Sequence, residues 1–188
     1  MFDKTKHYLI NGDIKAIRAL DEMGLLDRRD ENICMHAADN IKCLSFLRGR
    51  GYSWNENTPI HAIKKNNLEC FRYAIDNGCP CGPRLKYHLI KRAGTEFLGH
   101  IFAKDKSQWN TWASACAAGY GRLDNLKFLK ENGCPWDEKT PFYSYINGQI
   151  ACLEYALTQK CPFDGALVEQ CEKRGDKKTL ALLNKLNK

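Results

Sequence analysis

Cysteine is the residue type in this chain with the widest chemical potential, because thiols form disulfides, bind metals and act as nucleophiles. The 188-residue sequence contains ten cysteines. Cys79 and Cys81, separated by one proline, come closest to a metal-binding pair. No second pair follows at the spacing of a zinc module. We expect no native disulfide and no stoichiometric metal.

Eight of the cysteines recur at three positions of a 27-residue spacing that gains one residue in mid-chain. The three sets are Cys43, Cys70 and Cys152; Cys79, Cys134 and Cys161; and Cys34 and Cys116. Equivalent positions in neighbouring helical hairpins lie roughly 8–10 Å apart. That separation exceeds the reach of a disulfide or of shared zinc ligands. We therefore interpret these cysteines as small buried apolar residues.

The other residues suited to catalysis are dispersed along the chain. His61 and His88 occupy the same repeat position as Cys34 and Cys116. The sequence has no nucleophile elbow, phosphate-binding loop or dinucleotide glycine motif. We accordingly expect no catalytic residues, no cofactor and no enzymatic activity.

The elements that carry these residues are set by an internal repeat. Residues that tolerate the left-handed backbone region recur at spacings of 27 or 28. They are Gly12, Asp39, Asn66, Gly94, Gly121, Gly148 and Gly175. We expect each to form the turn between two short helices.

Two apolar positions three residues apart recur in step with these turns, as on the buried side of a helix. They are Ile17, Leu44, Phe71, Leu126, Leu153 and Leu180, followed by Leu20, Leu47, Ala74, Leu129, Ala156 and Leu183. Leu98 and Ile101 fit only with a slip of one residue, so the fourth repeat carries an extra residue that the sequence does not place.

The repeat ends are also marked. Glycine caps before a Cys-Pro step end the second helix, as at Gly78 and Gly133, with Gly24 and Gly51 in the same place. Thr58-Pro59 and Thr140-Pro141 pair an N-cap oxygen with a first-turn proline. Bulky residues in the loops are interpreted as links between repeats; they are Trp54, Trp109, Trp136 and Phe163, with Cys81 at the same position. Trp112 stands outside this pattern.

Several segments resemble the ankyrin repeat. Thr58-Pro59-Ile60-His61-Ala62 is similar to the start of that repeat, and the segment 117–123 is similar to its passage between helices. The segment 123–138 resembles the 27-residue repeat of ankyrin proteins from large amoeba-infecting DNA viruses and some protists. Because ankyrin repeats usually run about 33 residues, we expect the β-hairpin finger to be missing.

The resemblance implies an all-α, ankyrin-like helical solenoid of about seven degenerate helix-turn-helix repeats with short loops. We expect one domain over 1–188, because a single hairpin cannot bury its apolar side alone. The expected repeats are 1–26, 27–53, 54–80, 81–108, 109–135, 136–162 and 163–188.

Composition and charge narrow the class of protein further. The apolar and charged fractions, 44% and 27%, are those of a folded chain, and the net charge is +7. No apolar run is long enough to span a bilayer, and the N-terminus is too polar for a secretory signal. We expect a monomer in the cytoplasm, which would be the host cytoplasm for a viral protein, or in the virion.

The resemblance implies a protein-binding scaffold, a viral adaptor whose concave face consists of first helices and loop tips. The candidate partner-binding residues on that face are Lys64, Lys65, Arg84, Lys86, Lys91, Arg92, Tyr120, Asp137, Glu138, Tyr143 and Tyr145. Their basic members favour an acidic protein partner. A structural component of the virion and nucleic-acid binding through a basic groove remain as alternatives, and only charge supports the second.

Overall fold

The computed structural model describes residues 2–106 and 109–186. In these residues it contains fourteen α-helices and no β-strand. This confirms the all-α class expected from the sequence. The helices are short, from seven residues in the third helix to ten in the first.

The chain forms two compact units, Met1–Ile101 and Phe102–Lys188, which we call the N-terminal and the C-terminal unit. The N-terminal unit holds α1 (Phe2–Asn11), α2 (Ile14–Glu22), α3 (Glu31–Ala37), α4 (Ile41–Gly49), α5 (Asn57–Lys64), α6 (Leu68–Asp76), α7 (Pro83–Arg92) and the start of α8 (Thr95–Lys104). The C-terminal unit holds the end of α8, then α9 (Thr111–Gly119), α10 (Leu123–Glu131), α11 (Lys139–Ile146), α12 (Ile150–Thr158), α13 (Gly165–Lys173) and α14 (Lys177–Leu186).

Within each unit the helices pack in a regular order. In the N-terminal unit α1, α3, α5 and α7 each contact the next of that series, and α2, α4 and α6 do the same. In the C-terminal unit α9 contacts α11, α11 contacts α13, and α10 contacts α12. Most helices therefore pack against their hairpin partner and against the helices one repeat away.

The turns inside the hairpins follow the predicted positions in five cases. Positive φ angles between 54° and 71° occur at Gly12, Asn66, Gly121, Gly148 and Gly175. In all five the next residue but one begins the second helix, and a backbone bond from the intervening residue closes the turn, as from Asn67 N to Ala62 O at 2.8 Å. At Gly12 the preceding helix, α1, ends directly before the glycine, one residue further along than in the other four hairpins.

The predicted left-handed turns at Asp39 and Gly94 are wrong. Asp39 lies in a shorter turn, closed by a bond from Asn40 N to Ala37 O at 2.9 Å. Gly94 is not a turn residue. It directly precedes α8, and its carbonyl oxygen accepts a hydrogen bond from Phe97 N at 3.2 Å. Asp39 and Gly94 both lie shortly before the second helix of a hairpin. The repeat spacing therefore identified their place in the chain correctly but not their backbone conformation.

The extra residue of the fourth repeat can now be placed. Leu98 and Ile101 lie 27 residues after Phe71 and Ala74. Phe71, Ala74 and Leu98 are fully buried, and Ile101 is 7% exposed. Because the equivalents of Leu98 and Ile101 in α10 are 28 residues further on, the insertion follows Ile101. It falls between Ile101 and the start of α9, and residues 107 and 108 in this stretch lie outside the described part of the chain.

The helix ends confirm one predicted signal and correct another. Gly24, Gly51, Gly78 and Gly133 adopt φ angles from 67° to 83°, as expected for left-handed caps. By contrast, Thr58 and Thr140 lie inside the first turns of α5 and α11 and have fully buried side chains. They are therefore not N-caps, because these helices begin at Asn57 and Lys139, two residues earlier than the Thr-Pro steps predict.

The loop aromatics link neighbouring predicted repeats, as expected. Trp54 lies under the Arg48 guanidinium, 3.9 Å from ring centroid to carbon, and edge-on to Tyr73 at 6.3 Å. Trp136 makes the same pair of contacts with Lys130 and Tyr155, at 4.1 and 6.3 Å. In each case the cation comes from the preceding repeat and the tyrosine from the tryptophan's own repeat.

Candidate functional site

The predicted partner-binding residues fall into two groups, one in each unit. Lys64, Lys65, Arg84, Lys86, Lys91 and Arg92 lie at the end of α5 and along α7 in the N-terminal unit. Tyr120, Asp137, Glu138, Tyr143 and Tyr145 lie at the end of α9 and around α11 in the C-terminal unit.

In the C-terminal unit a groove runs between α9 and α11, with a volume of about 400 Å³. Three large aromatic side chains line it while remaining exposed: Trp112 at 47%, Tyr120 at 40% and Tyr143 at 44%. Two of them, Tyr120 and Tyr143, are among the predicted residues. Trp112, which the repeat pattern left unexplained, completes the set, and we call this surface the aromatic groove.

Helix geometry explains why these side chains converge. Trp112, Cys116 and Tyr120 are four residues apart, as are Lys139, Tyr143 and Asn147, so each set follows one side of its helix. Gly119 lies where the helices are closest, since a β-carbon there would be 3.2 Å from the Tyr143 β-carbon. The absence of a side chain at 119 therefore lets α9 and α11 approach.

At the start of each helix that carries the groove, a side chain accepts a hydrogen bond from a first-turn backbone N–H, which the sequence analysis did not predict. Asn110 Oδ1 accepts from Trp112 N at 3.1 Å, and Asp137 Oδ1 accepts from Lys139 N at 3.1 Å. Asn55 and Asp164 do the same for α5 and α13. The sequence signal for these hydrogen bonds is that Asn or Asp recurs at this one repeat position. Asp137 thus has a structural role, and both it and Glu138 are half-buried.

Tyr145 does not belong to any binding surface. Its side chain is only 4% exposed and packs in an apolar cluster with Leu153, Leu167 and Cys171, while the Arg174 guanidinium lies over its ring at 5.1 Å. Tyr143 and Tyr145 are two residues apart, so they point about 200° apart around the helix. Only one of the two can face outward, and that one is Tyr143.

The described lining of the aromatic groove combines apolar rings with hydrogen-bonding groups. Its described lining offers apolar rings, indole and phenol donors, the Asn147 amide and the Lys139 ammonium group, but no carboxylate and no histidine. Burial raises the pKa of the Cys116 thiol, which disfavours the nucleophilic thiolate. The lining thus contains groups that bind a ligand and no pairing of a nucleophile with a base.

In the N-terminal unit the predicted cations surround His88 on α7. Burial lowers the pKa of His88, and the positive charges of Lys64, Arg92, Arg84 and Lys91 lower it further. Nδ1 of the ring is buried and has no hydrogen-bond partner in the described residues. Positive charges from α5 and α7 therefore both act on the His88 ring. We call the surface formed by Lys64, Arg84, His88, Lys91 and Arg92 the basic face.

The remaining predicted cations are distributed around the basic face. Lys65 pairs with Asp39 at 3.5 Å, and Asp39 also contacts His61 Nε2 at 3.1 Å. Lys86 is half-buried on α7. His61 thus has a structural partner.

The cysteines occupy packing positions. All ten are free, eight are buried, and only Cys81 is exposed. In the part of the chain that the structure describes, no three His, Cys, Asp or Glu residues are grouped so as to hold a metal ion. The side chains that could have formed a chemical centre are instead spread from repeat to repeat.

Two further findings bear on what the chain is. Among residues 2–106 and 109–186, none of the helices is both long and apolar enough to cross a bilayer. Comparison of the chain with protein-family models, with curated proteins and with solved structures finds no match.

Proposed function

We propose that this chain is a non-enzymatic protein-binding scaffold and that the aromatic groove is one of its contact surfaces. The observation that carries the proposal is the exposure of Trp112, Tyr120 and Tyr143 around one groove. Tyr and Trp are enriched among the residues that dominate binding energy at protein interfaces. Large exposed aromatics gathered in one place mark interaction sites more often than scattered ones do.

We further propose that the helices form an ankyrin-like solenoid in which the groove belongs to the first-helix surface. The packing of alternate helices within each unit supports this arrangement. So does a contact that recurs in three predicted repeats, from Cys79, Cys134 and Cys161 to the backbone carbonyl 24 residues earlier. Repeated contacts of one kind are what stacked equivalent hairpins produce.

The sequence resemblance to ankyrin proteins of amoeba-infecting viruses suggests where such a scaffold would act. We propose a viral adaptor that binds a host or viral protein in the host cytoplasm. A scaffold of this kind needs no chemistry of its own, in keeping with a groove whose described lining pairs no nucleophile with a base.

The test is affinity capture from amoeba lysate by three immobilised proteins, with quantification of the captured proteins. They are the parent chain, the variant Trp112→Ala with Tyr143→Ala, and a control, Ile150→Ala with Glu154→Ala. The control side chains are exposed on α12, a second helix of the same unit.

We expect a protein that the parent and the control capture and that the groove variant loses. Each lost aromatic anchor should weaken binding by roughly 1–2 kcal/mol or more. Capture of the same proteins by all three, or of none by the parent, would count against the proposal.

A further inference from the structure

The basic face lies on two packed first helices of the N-terminal unit. Arg84, His88, Lys91 and Arg92 are spaced so that they follow one side of α7. Lys64 is the last residue of α5, which contacts α7, and its position in α5 is equivalent to that of Lys91 in α7. Helix geometry thus places the basic side chains of α7 on one side of the helix, and the repeat places Lys64 of α5 at the equivalent position.

Neighbouring carboxylates neutralise only part of this charge. Arg84 pairs with Glu56 at 3.6 Å, and Lys65 pairs with Asp39 at 3.5 Å. Within the described residues, Lys64, Lys86 and Arg92 form no ion pair. Lys64 and Arg92 are also exposed, so their charges face solvent.

His88 lies among the cations of the basic face, and their positive charges act on its ring. Its ring is half-buried, and four cations from two helices act on it. Its buried Nδ1 has no partner among the described residues. A ligand that brings negative charge to this place would relieve repulsion among the cations and gain attraction from each of them.

We infer that the basic face binds a short acidic segment, rich in Asp and Glu, of a partner protein. The inference rests on the proposed scaffold function and adds the chemistry of one partner segment. It concerns the N-terminal unit, whereas the aromatic groove lies in the C-terminal unit.

A peptide fits this surface better than a nucleic acid does. The exposed large apolar residues of the described N-terminal unit are Ile10, Met23 and Leu25, none of which offers a ring for base stacking. Glu56 and Asp39 lie beside the cations and would repel an unbroken phosphate backbone. A peptide can place its carboxylates against the cations and leave those two positions uncharged.

The test is fluorescence anisotropy with a labelled synthetic peptide of Asp and Glu at low ionic strength, with unlabelled single-stranded DNA and inorganic phosphate as competitors. The full chain is compared with Lys64→Gln plus Arg92→Gln. The matched control is Lys42→Gln plus Arg72→Gln, which removes the same charge from exposed positions on α4 and α6. Circular dichroism checks that all three are folded.

We expect the basic-face variant to bind the peptide roughly tenfold more weakly, the effect of losing two exposed charge pairs, and the control to bind like the parent. Phosphate should displace the peptide only as general salt does. Three results would overturn the inference: no peptide binding by the parent, equal weakening in both variants, or DNA that outcompetes the peptide at this face. None of them touches the aromatic groove, so the proposed function would still stand.

Discussion

The thiol of Cys134 donates to the backbone carbonyl oxygen of Asn110, 24 residues earlier, across 3.4 Å. Cys79 and Cys161 make the same contact with Asn55 and Asp137, at 3.1 and 3.4 Å. The three thiols are buried, with 3–4% of each residue exposed. The cysteine thus ties the last loop of each predicted repeat to the backbone at its start.

Replacement of Cys134 by Ala should therefore lower the free energy of unfolding. We expect a loss of roughly 1–2 kcal/mol, because the hydrogen bond from the thiol to the Asn110 carbonyl is lost and the buried sulfur leaves a small void. Urea denaturation followed by circular dichroism measures it. Cys81→Ala is the control, since Cys81 is exposed, and an equal loss in both variants would contradict the structural role.

Thiol reactivity should separate Cys81 from the buried cysteines. Burial raises the pKa of Cys79 and of Cys161 to about 12, and only the thiolate attacks a disulfide reagent. Ellman's reagent should therefore modify one thiol of the native protein rapidly and the buried ones only after unfolding. A rapid phase that persists in Cys81→Ser would show that another cysteine is accessible.

The apolar positions of the second helices should carry much of the stability. Leu126 on α10 is fully buried and Leu153 on α12 is 3% exposed. Truncation of either to Ala should cost roughly 2–5 kcal/mol through lost burial and a cavity. Ile150→Ala, on α12 at a half-exposed position, should change the unfolding midpoint little. If Leu126→Ala melts like the parent, the assignment of the core positions fails.

Much of this fold could be predicted because its signals are local and repeated. A left-handed turn between helices requires a residue such as Gly or Asn, and Gly121 and Asn66 therefore mark such turns in the sequence. The buried sides of α10 and α12 repeat in the same way. The prediction failed where the local requirement was ambiguous. Gly94 can stand directly before a helix as well as form a turn, and in the structure it directly precedes α8, with its carbonyl accepting from Phe97 N.

The candidate site was harder to predict because exposure depends on neighbouring helices. Tyr143 and Tyr145 look alike in sequence, and only the packing of α11 against α13 separates the exposed ring from the buried one. Trp112 breaks the repeat pattern, and so the repeat offered no position for it. A residue that departs from a repeat while remaining large and apolar is a signal in itself, and it lines the aromatic groove.

The buried pair Tyr52 and Asp21 should stabilise the N-terminal unit. The Tyr52 hydroxyl donates to Asp21 Oδ1 at 2.7 Å, and Arg50 Nε donates to Oδ2 at 2.6 Å. Burial by itself raises the pKa of Asp21, but these two bonds and the charges of Arg50 and Arg28 outweigh it and lower the pKa. The ionised carboxylate is thus the form that the fold stabilises.

Replacement of Tyr52 by Phe should cost roughly 1.5–3 kcal/mol, the value of a hydrogen bond to a charged group. Urea denaturation at neutral pH measures the loss. Tyr143→Phe, at an exposed ring, is the matched control. A Tyr52→Phe variant as stable as the parent would mean that Arg50 and Arg28 alone satisfy Asp21.

Three histidines of the N-terminal unit should make stability depend on pH. Burial is the main cause that lowers the pKa of His36, His61 and His88. Because each folded pKa lies below the unfolded one, the unfolded chain takes up protons first as the pH falls. Their contribution is therefore complete above the ordinary histidine value of about 6.5 and is lost as the pH falls from there through the folded values.

The thermal midpoint, followed by circular dichroism, should thus decrease between about pH 7.5 and about pH 5.5, a range centred on the histidine pKa. The His88→Gln variant removes one of the three groups, and among them His88 is the one whose four attributed charges are all positive. Its midpoint should fall less over the same range than that of the parent. A midpoint that rises on acidification, or identical profiles for the parent and His88→Gln, would exclude a folded state that disfavours protonated His88.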